Sequence, residues 1–142
     1  MSLFIGHIVV ERLLKTAVVK HNTSIMDKGE ALIIAGAYID SISSKYSIRQ
    51  AILFGSYAKG TNHDDSDIDI AIVVNNVVDI IDAQIDLMKL RRKIDLRIEP
   101  HPFMIGDFNK SNPVVNEILK YGILINKKVA QDIIPAEFTL SG

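Results

Sequence analysis

Two aspartates that lie two residues apart, Asp67 and Asp69, are the residues of this chain best suited to chemistry. They alternate with Ile68 and Ile70 in the pattern typical of a β-strand, so both carboxylates project from the same face. Two carboxylates so close repel each other unless a cation lies between them. Mg²⁺ and Mn²⁺ prefer oxygen ligands and complete their shells with water and substrate phosphates. The pair therefore predicts a divalent metal site that handles phosphate groups.

A third carboxylate, Asp95, lies in another segment of alternating residues, 94–99, which we predict to be a strand ended by the prolines that follow. A strand beside the aspartate pair would bring Asp95 next to it. Three carboxylates could then hold two cations about 3.5–4 Å apart, the spacing used for in-line transfer of phosphoryl or nucleotidyl groups. An ion pair between Asp95 and either Arg97 or a neighbouring lysine is the alternative, and we interpret Glu99, on the same predicted face, as a surface charge.

A glycine–serine turn stands between the first predicted strand, 51–54, and the aspartates. Gly55 would let the backbone approach a phosphate closely, and a strand-to-helix turn directs amide groups at an anion. Ser56 adds a hydroxyl, and Lys59 adds a positive charge for a triphosphate. The turn alone is a weak signal, and Thr61 stands where a P-loop needs lysine.

The turn and the aspartates together resemble the nucleotidyltransferase signature of the DNA polymerase beta superfamily. The match is Gly55-Ser56, ten further residues, and then Asp67-x-Asp69. The residues around it, 53–60 and 66–70, are similar to the small prokaryotic branch, the minimal nucleotidyltransferases. The resemblance extends over about residues 27–125. It implies an α/β (α+β) nucleotidyltransferase fold, with a short, mixed, mostly antiparallel sheet flanked by helices.

The resemblance also implies an activity and roles for particular residues. Members of the family move a nucleoside monophosphate from an NTP to an acceptor hydroxyl and release pyrophosphate, and we expect AMP from ATP. Three carboxylates would form the catalytic set and bind two Mg²⁺ ions, or Mn²⁺ in their place: Asp67, Asp69 and Asp95. Asp95 would also help to deprotonate the acceptor. Three loop residues would hold the triphosphate: Gly55, Ser56 and Lys59, of which Lys59 replaces an arginine often found in this branch.

The expected partner follows from the resemblance alone. Small prokaryotic members resemble antitoxins encoded beside a helical HEPN-type toxin, and some of them transfer AMP to that toxin, so a partner toxin protein is the expected acceptor. A non-enzymatic antitoxin that acts by docking is the alternative, and an antibiotic-type transferase for small molecules is a lesser one. Larger members carry a helical domain that helps to hold the acceptor. We expect a second copy of the chain, a partner or the target itself to supply that site here.

Apolar periodicity places these residues on interleaved strands and helices, which predicts a mixed sheet with helices packed on one side. The predicted elements are helix 25–44 with a capping box of Ser24 and Asp27, strands 51–54 and 68–72, helix 77–93, strand 94–99, helix 114–121 closed by Gly122, and strand 123–126. We assign residues 25–128 to one nucleotidyltransferase domain, residues 1–24 to an N-terminal extension and residues 129–142 to a tail.

The composition excludes several other classes of protein. The 142 residues include no cysteine, which excludes disulfides, thiolate zinc sites and cysteine nucleophiles. The formal net charge of −1 provides no basic surplus for nucleic acid, and we interpret the basic residues of 89–97 as a solvated helix end. No stretch resembles a signal peptide or a membrane span. We therefore expect a cytoplasmic protein with no membrane or nucleic-acid partner.

Overall fold

The computed structural model describes residues 26–125, so the predictions for the 1–24 extension, the 129–142 tail and the cap at Ser24 lie outside it. The helices are α1 (Lys28–Ile42), α2 (Ser56–Lys59), α3 (Ile80–Leu90) and α4 (Pro113–Tyr121). The strands are β1 (Ser47–Phe54), β2 (Ile68–Asn75), β3 (Ile98–Met104) and β4 (Ile123–Leu124). Short 3₁₀ turns, Arg91–Lys93 and Ile105–Asp107, follow α3 and β3. Among residues 26–125, none of the helices has the length and apolar composition needed to cross a membrane.

The strands form a sheet in the order β3-β2-β1-β4. β1 pairs antiparallel with both β2 and β4, whereas β2 pairs parallel with β3. The parallel pair needs a crossover connection, and α3 supplies it between β2 and β3. The mixed, mostly antiparallel sheet implied by the family resemblance is therefore confirmed.

The sheet carries helices on both faces. One face, which includes Ile70 of β2, is buried together with α1 and Leu87 of α3. The Tyr38 hydroxyl of α1 joins these helices because it donates to the Leu87 carbonyl over 2.7 Å. The other face, at Ala71, packs against Ile118 of α4. The prediction of helices on one side is therefore wrong, because α4 returns across the second face.

The third strand begins later than predicted, at Ile98, and runs through Pro100 and Pro102. The prediction that these prolines end the strand is wrong, because β3 lies at the edge of the sheet. Residues two apart direct their backbone groups to the same side, so both prolines can face away from β2 without loss of a sheet hydrogen bond. The Pro100 carbonyl accordingly accepts from the Gln84 side chain over 2.7 Å. The predicted strand residues 94–97 form a turn instead.

The helix ends depend on individual polar and small residues. Asp27 is the N-cap of α1, and its carboxylate accepts from the Glu30 amide over 2.8 Å, so the capping box lies three residues beyond the predicted one. Asp79 caps α3, which is why that helix does not begin at 77. α4 ends before Gly122, as predicted. A Cβ at Gly122 would lie 2.3 Å from a backbone oxygen of α4, so only glycine fits there.

Candidate active site

The predicted site residues of β1 and β2 meet at one end of the sheet, where β1 leads into α2. Asp69 stands opposite Phe54 of β1 on one side and Glu99 of β3 on the other. Asp67 comes directly before β2 and is exposed, whereas Asp69 is half-buried. The face that carries Asp69 is the same one that packs against α4, because Asp69 and Ala71 are two residues apart.

Gly55 lets the turn and β2 come into contact. Its φ of +73° lies in the left-handed region that favours glycine, and a Cβ there would be 2.4 Å from Asp69 Oδ2. Any side chain would therefore displace the Asp69 carboxylate as well as strain the backbone. The glycine predicted to serve a phosphate thus also allows Asp69 to lie against the turn. Ser56, the next residue, begins α2.

Asp95 lies in the turn before β3, outside the sheet. The prediction that it lies in a strand beside the aspartate pair is wrong, because the turn before β3 carries it and the strand begins at Ile98. Its Oδ1 accepts from the Arg97 amide over 2.8 Å, and its Oδ2 accepts from Arg97 Nη2 over 2.7 Å. The Asp95 side chain is only 9% exposed. Of the two ion pairs that the sequence leaves open, with Arg97 or with a neighbouring lysine, the structure contains the pair with Arg97.

Glu99 occupies the position beside the aspartates that the sequence pattern assigns to Asp95. It stands opposite Asp69 in the β2–β3 register, and its carboxyl group is in hydrogen-bond contact with Asp67. This contact, together with partial burial and the Asp67 charge, raises the pKa of Glu99. The interpretation of Glu99 as a surface charge misses this. The signal in the sequence is that Glu99 shares the alternation of Asp95, on the strand side of the turn.

His101 is a second residue that the sequence reasoning does not assign to the site. Its Nε2 lies 3.0 Å from Asp69 Oδ1, so the imidazole holds one oxygen of that carboxylate. The ring also packs edge-on against Phe54, with 4.9 Å between the ring centroids. The available signal is again the period of two, because His101 follows Glu99 on the same face of β3.

Lys59 is directed towards α4. Its ammonium forms an ion pair with Glu117 Oε1 and lies 5.2 Å from the centre of the Tyr121 ring. The hydrogen bond to Glu117 raises the pKa of Lys59. Lys59, the residue predicted to contact the triphosphate, is therefore already paired with an acidic side chain. No local pattern could reveal this partner, since Glu117 is 58 residues further along the chain.

The loop between α2 and β2 is held by short-range hydrogen bonds. Ser66 is buried, and its hydroxyl accepts from the His63 amide over 2.8 Å. The Ser66 amide in turn donates to the His63 carbonyl over 3.0 Å. Asn62 ties the loop to the start of α1 by donating to the Met26 carbonyl over 2.8 Å. These hydrogen bonds fix the position of the chain at Asp67, which directly precedes β2.

The chemistry of this donor set fits a divalent cation. Asp67 and Glu99 form a close carboxylate pair, while Asp69 lies against Gly55 and His101. The pKa of a carboxyl group rises when another carboxylate lies beside it, and a cation bound between the two removes their repulsion. Mg²⁺ suits such a pair because it prefers oxygen ligands. Within the described part of the chain, no group of three or more acidic, histidine or cysteine side chains is arranged as a complete metal site. Mg²⁺ usually takes one or two carboxylates together with water and substrate phosphates, so such a cage is not required.

A cavity of about 530 Å³ lies at the opposite end of the sheet, beside the start of β1 and the end of β2. Its lining includes Lys45, Tyr46 and Asp86. The Tyr46 hydroxyl donates to Asp86 Oδ2 over 2.5 Å, and Lys45 pairs with the same oxygen at 2.8 Å. The bonds from Lys45 and Tyr46 lower the pKa of Asp86, and burial together with the bond to Asp86 raises the pKa of Tyr46. No predicted site residue lines this cavity.

Comparison with known sequences identifies the family. A profile of the polymerase beta nucleotidyltransferases matches residues 38–131, which is more than half of the chain. The chain therefore belongs to the polymerase beta nucleotidyltransferase family, in agreement with its resemblance to the minimal type. No curated protein matched the sequence significantly.

Several solved structures are similar to this one. A protein from Sulfolobus solfataricus, provisionally described as a nucleotidyltransferase, gives a TM-score of 0.50 at 21% identity, over 68% of this chain and 80% of that chain. A toxin–antitoxin structure with AMP-PNP gives 0.47 at 26% identity, over 72% and 81% of the two chains. A variant of the toxin–antitoxin pair MntA–HpeT gives 0.43 at 22% identity, over 82% and 86%. The likeness to the Sulfolobus protein supports the nucleotidyltransferase fold.

Proposed function

We propose that this protein is a Mg²⁺-dependent nucleotidyltransferase that moves a nucleoside monophosphate, with AMP from ATP as the expected case, to an acceptor hydroxyl. The observation that carries the proposal is the carboxylate group at the start of β2. Glu99 stands opposite Asp69 and contacts Asp67, and Asp69 lies against the turn at Gly55. Membership of the family supports the type of reaction.

The proposed metal ligands are Asp67 and Asp69, with Glu99 as the third carboxylate in place of Asp95. The position of Glu99, opposite Asp69 and in contact with Asp67, supports this exchange. Mn²⁺ could replace Mg²⁺, since both prefer oxygen ligands. When bound, these ions neutralise charge on the phosphates and on the leaving pyrophosphate.

The proposed triphosphate site is the turn after β1. Gly55 carries no side chain that would keep a phosphate away from the backbone, and Ser56 offers a hydroxyl donor. Lys59, at the far end of α2, offers a positive charge at the rim of the site. These three residues can bind and orient the phosphates so that the α-phosphorus faces the carboxylates.

The proposed reaction is a displacement at the α-phosphorus. The acceptor oxygen forms a bond to this phosphorus, the bond to the bridging oxygen of pyrophosphate breaks, and pyrophosphate leaves. The acceptor proton passes to the Glu99 carboxylate, which takes the role that the family resemblance implies for Asp95. The position of Glu99, opposite Asp69 in the β2–β3 register, supports this role.

The proposed acceptor is a partner protein, with a helical HEPN-type toxin as the candidate. The resemblance to the minimal nucleotidyltransferases supports this choice. A second copy of the chain, as a homodimer, could complete the acceptor site instead. We also propose that residues 25–128 form the transferase domain, with the extension and the tail outside it. Docking without catalysis and transfer to a small molecule are the competing functions.

The test is incubation with α-labelled ATP, Mg²⁺ and the candidate partner. We expect transfer by the wild type and by D95N, and loss of transfer in E99Q. Asp95 is the matched control because it lies in the turn before β3 and is bonded to Arg97. No transfer by the wild type, or equal transfer by a D67N/D69N double variant, would contradict the proposal. If that double variant still neutralised the partner fully, docking would be the function.

A further inference from the structure

At the rim of the candidate site, the Lys59 ammonium of α2 lies between two side chains of α4, those of Glu117 and Tyr121. Lys59 ends α2, the short helix that begins at Ser56. Its ammonium is bound by the Glu117 carboxylate from α4. Tyr121, one turn further along α4, lies with its ring centre 5.2 Å from the same ammonium. Lys59 is the positively charged residue nearest in sequence to the proposed triphosphate turn, and its charge is therefore already neutralised.

Glu117 and a triphosphate are rivals for this charge. The lysine ammonium is compact and has three N–H donors. An anion that binds it therefore leaves fewer donors and less positive charge for a second anion. The Lys59 and Glu117 side chains are 34% and 40% exposed, so their ion pair adds little to folding stability and can be broken at little cost.

We propose that Glu117 is a built-in competitor for the Lys59 ammonium, and that it sets how tightly the site holds a triphosphate and the pyrophosphate product. The inference rests on the proposed function, because it requires a nucleotide to bind at the Gly55 turn. A bound triphosphate takes Lys59 from Glu117. When pyrophosphate leaves, the pair forms again, so Glu117 weakens binding of the substrate and favours release of the product.

The test is calorimetric titration of ATP and, separately, of inorganic pyrophosphate in the presence of Mg²⁺. Four proteins are compared: the wild type, E117Q, K59M and the double variant K59M/E117Q. We expect E117Q to bind both ligands about two- to fivefold more tightly, the change that corresponds to an exposed ion pair. K59M should bind both more weakly than the wild type does.

The double variant separates competition from a general charge effect. If Glu117 acts by holding Lys59, K59M/E117Q should bind like K59M. If removal of a negative charge acts at long range, the gain from E117Q should persist in the K59M background, and the inference is then wrong. Thermal unfolding of all four proteins should give similar Tm values, because both side chains are exposed.

Two other outcomes are distinguishable. An affinity of folded E117Q equal to or below that of the wild type overturns the inference and leaves the proposed function intact. A wild-type protein that binds neither ATP nor pyrophosphate overturns the proposed function, and the inference with it.

Discussion

The two ends of the sheet differ in what lies beside their acidic side chains. At the cavity end, Asp86 is bonded by Lys45 and Tyr46, and the pKa of Asp86 is lowered. At the site end, Glu99 contacts another carboxylate, Asp67, and the pKa of Glu99 is raised. The first end satisfies its acid within the chain. The second end places like charges together, which is typical of a site that a ligand completes.

The largest effect should come from removal of the site-end acids. We expect the D67N/D69N double variant to lower the rate of AMP transfer by about a thousandfold or more, because charge stabilisation is the largest single contribution to such catalysis. The measurement is the rate of label transfer from α-labelled ATP. K45M, at the cavity end, is the control and should transfer at the wild-type rate. A similar loss in K45M would remove the distinction between the two ends.

Substitution of Gly55 tests whether the turn and Asp69 depend on each other. G55A should lower the free energy of unfolding by about 1–3 kcal/mol and also impair transfer, because the new Cβ displaces the Asp69 carboxylate. Gly60 is the matched control, since its φ is also positive at +76° but a Cβ there meets nothing within 4 Å. In urea denaturation, G60A should be the milder variant. Equal effects of the two would mean that backbone strain alone matters at Gly55.

The pH dependence of stability should differ in sign between the two ends. Without metal, the free energy of unfolding should fall as pH rises from the ordinary Glu99 value of 4.5 through the raised pKa, because only the folded state then holds the proton tightly. Asp86 has a lowered pKa, so the stability that it contributes near neutral pH should be lost as pH falls through that pKa. Denaturant unfolding in EDTA across the acidic range measures both.

Single variants assign these two slopes. E99Q should remove the loss of stability on raising the pH, and added Mg²⁺ should oppose that loss in the wild type. D86N should remove the loss on lowering the pH and leave the Glu99 contribution in place. If the pH profile of stability were the same in E99Q as in the wild type, the contact between Glu99 and Asp67 would not govern the titration of Glu99.

The smallest effect should come from the hydrogen bond at the cavity end. Y46F removes the bond to Asp86 and should cost about 0.5–1.5 kcal/mol of stability, the usual contribution of such a bond. Its transfer activity should equal that of the wild type, because Tyr46 lies at the far end of β1. If Y46F lost a larger share of its activity than of its folded protein, the cavity end would influence the site end, which would contradict the comparison.

Local pattern was sufficient to predict the strand that carries Asp69 and the turn at Gly55. The alternation of Asp67 and Asp69 with isoleucines is a property of one strand, and it predicts both the strand and the shared face. The turn at Gly55 was likewise visible, because a short apolar run stops there. Its contact with Asp69 was not, since that contact depends on the pairing of β1 with β2.

The third carboxylate required tertiary information. The alternation in 94–99 fits both Asp95 and Glu99, and the prolines after it favour an early end to the strand. Only the edge position of β3 makes those prolines acceptable, and an edge position is a property of the whole sheet. The pair of Lys59 with Glu117 is of the same kind, since α4 must cross the second face of the sheet before the two can meet.

The claim that Glu99, and not Asp95, completes the site is tested most directly by metal binding. The measurement is electron paramagnetic resonance of Mn²⁺ bound to the wild type, E99Q and D95N in the presence of a non-hydrolysable ATP analogue. We predict that D95N binds Mn²⁺ like the wild type and that E99Q binds it about tenfold more weakly or worse. Loss of Mn²⁺ binding in D95N with normal binding in E99Q would contradict the account.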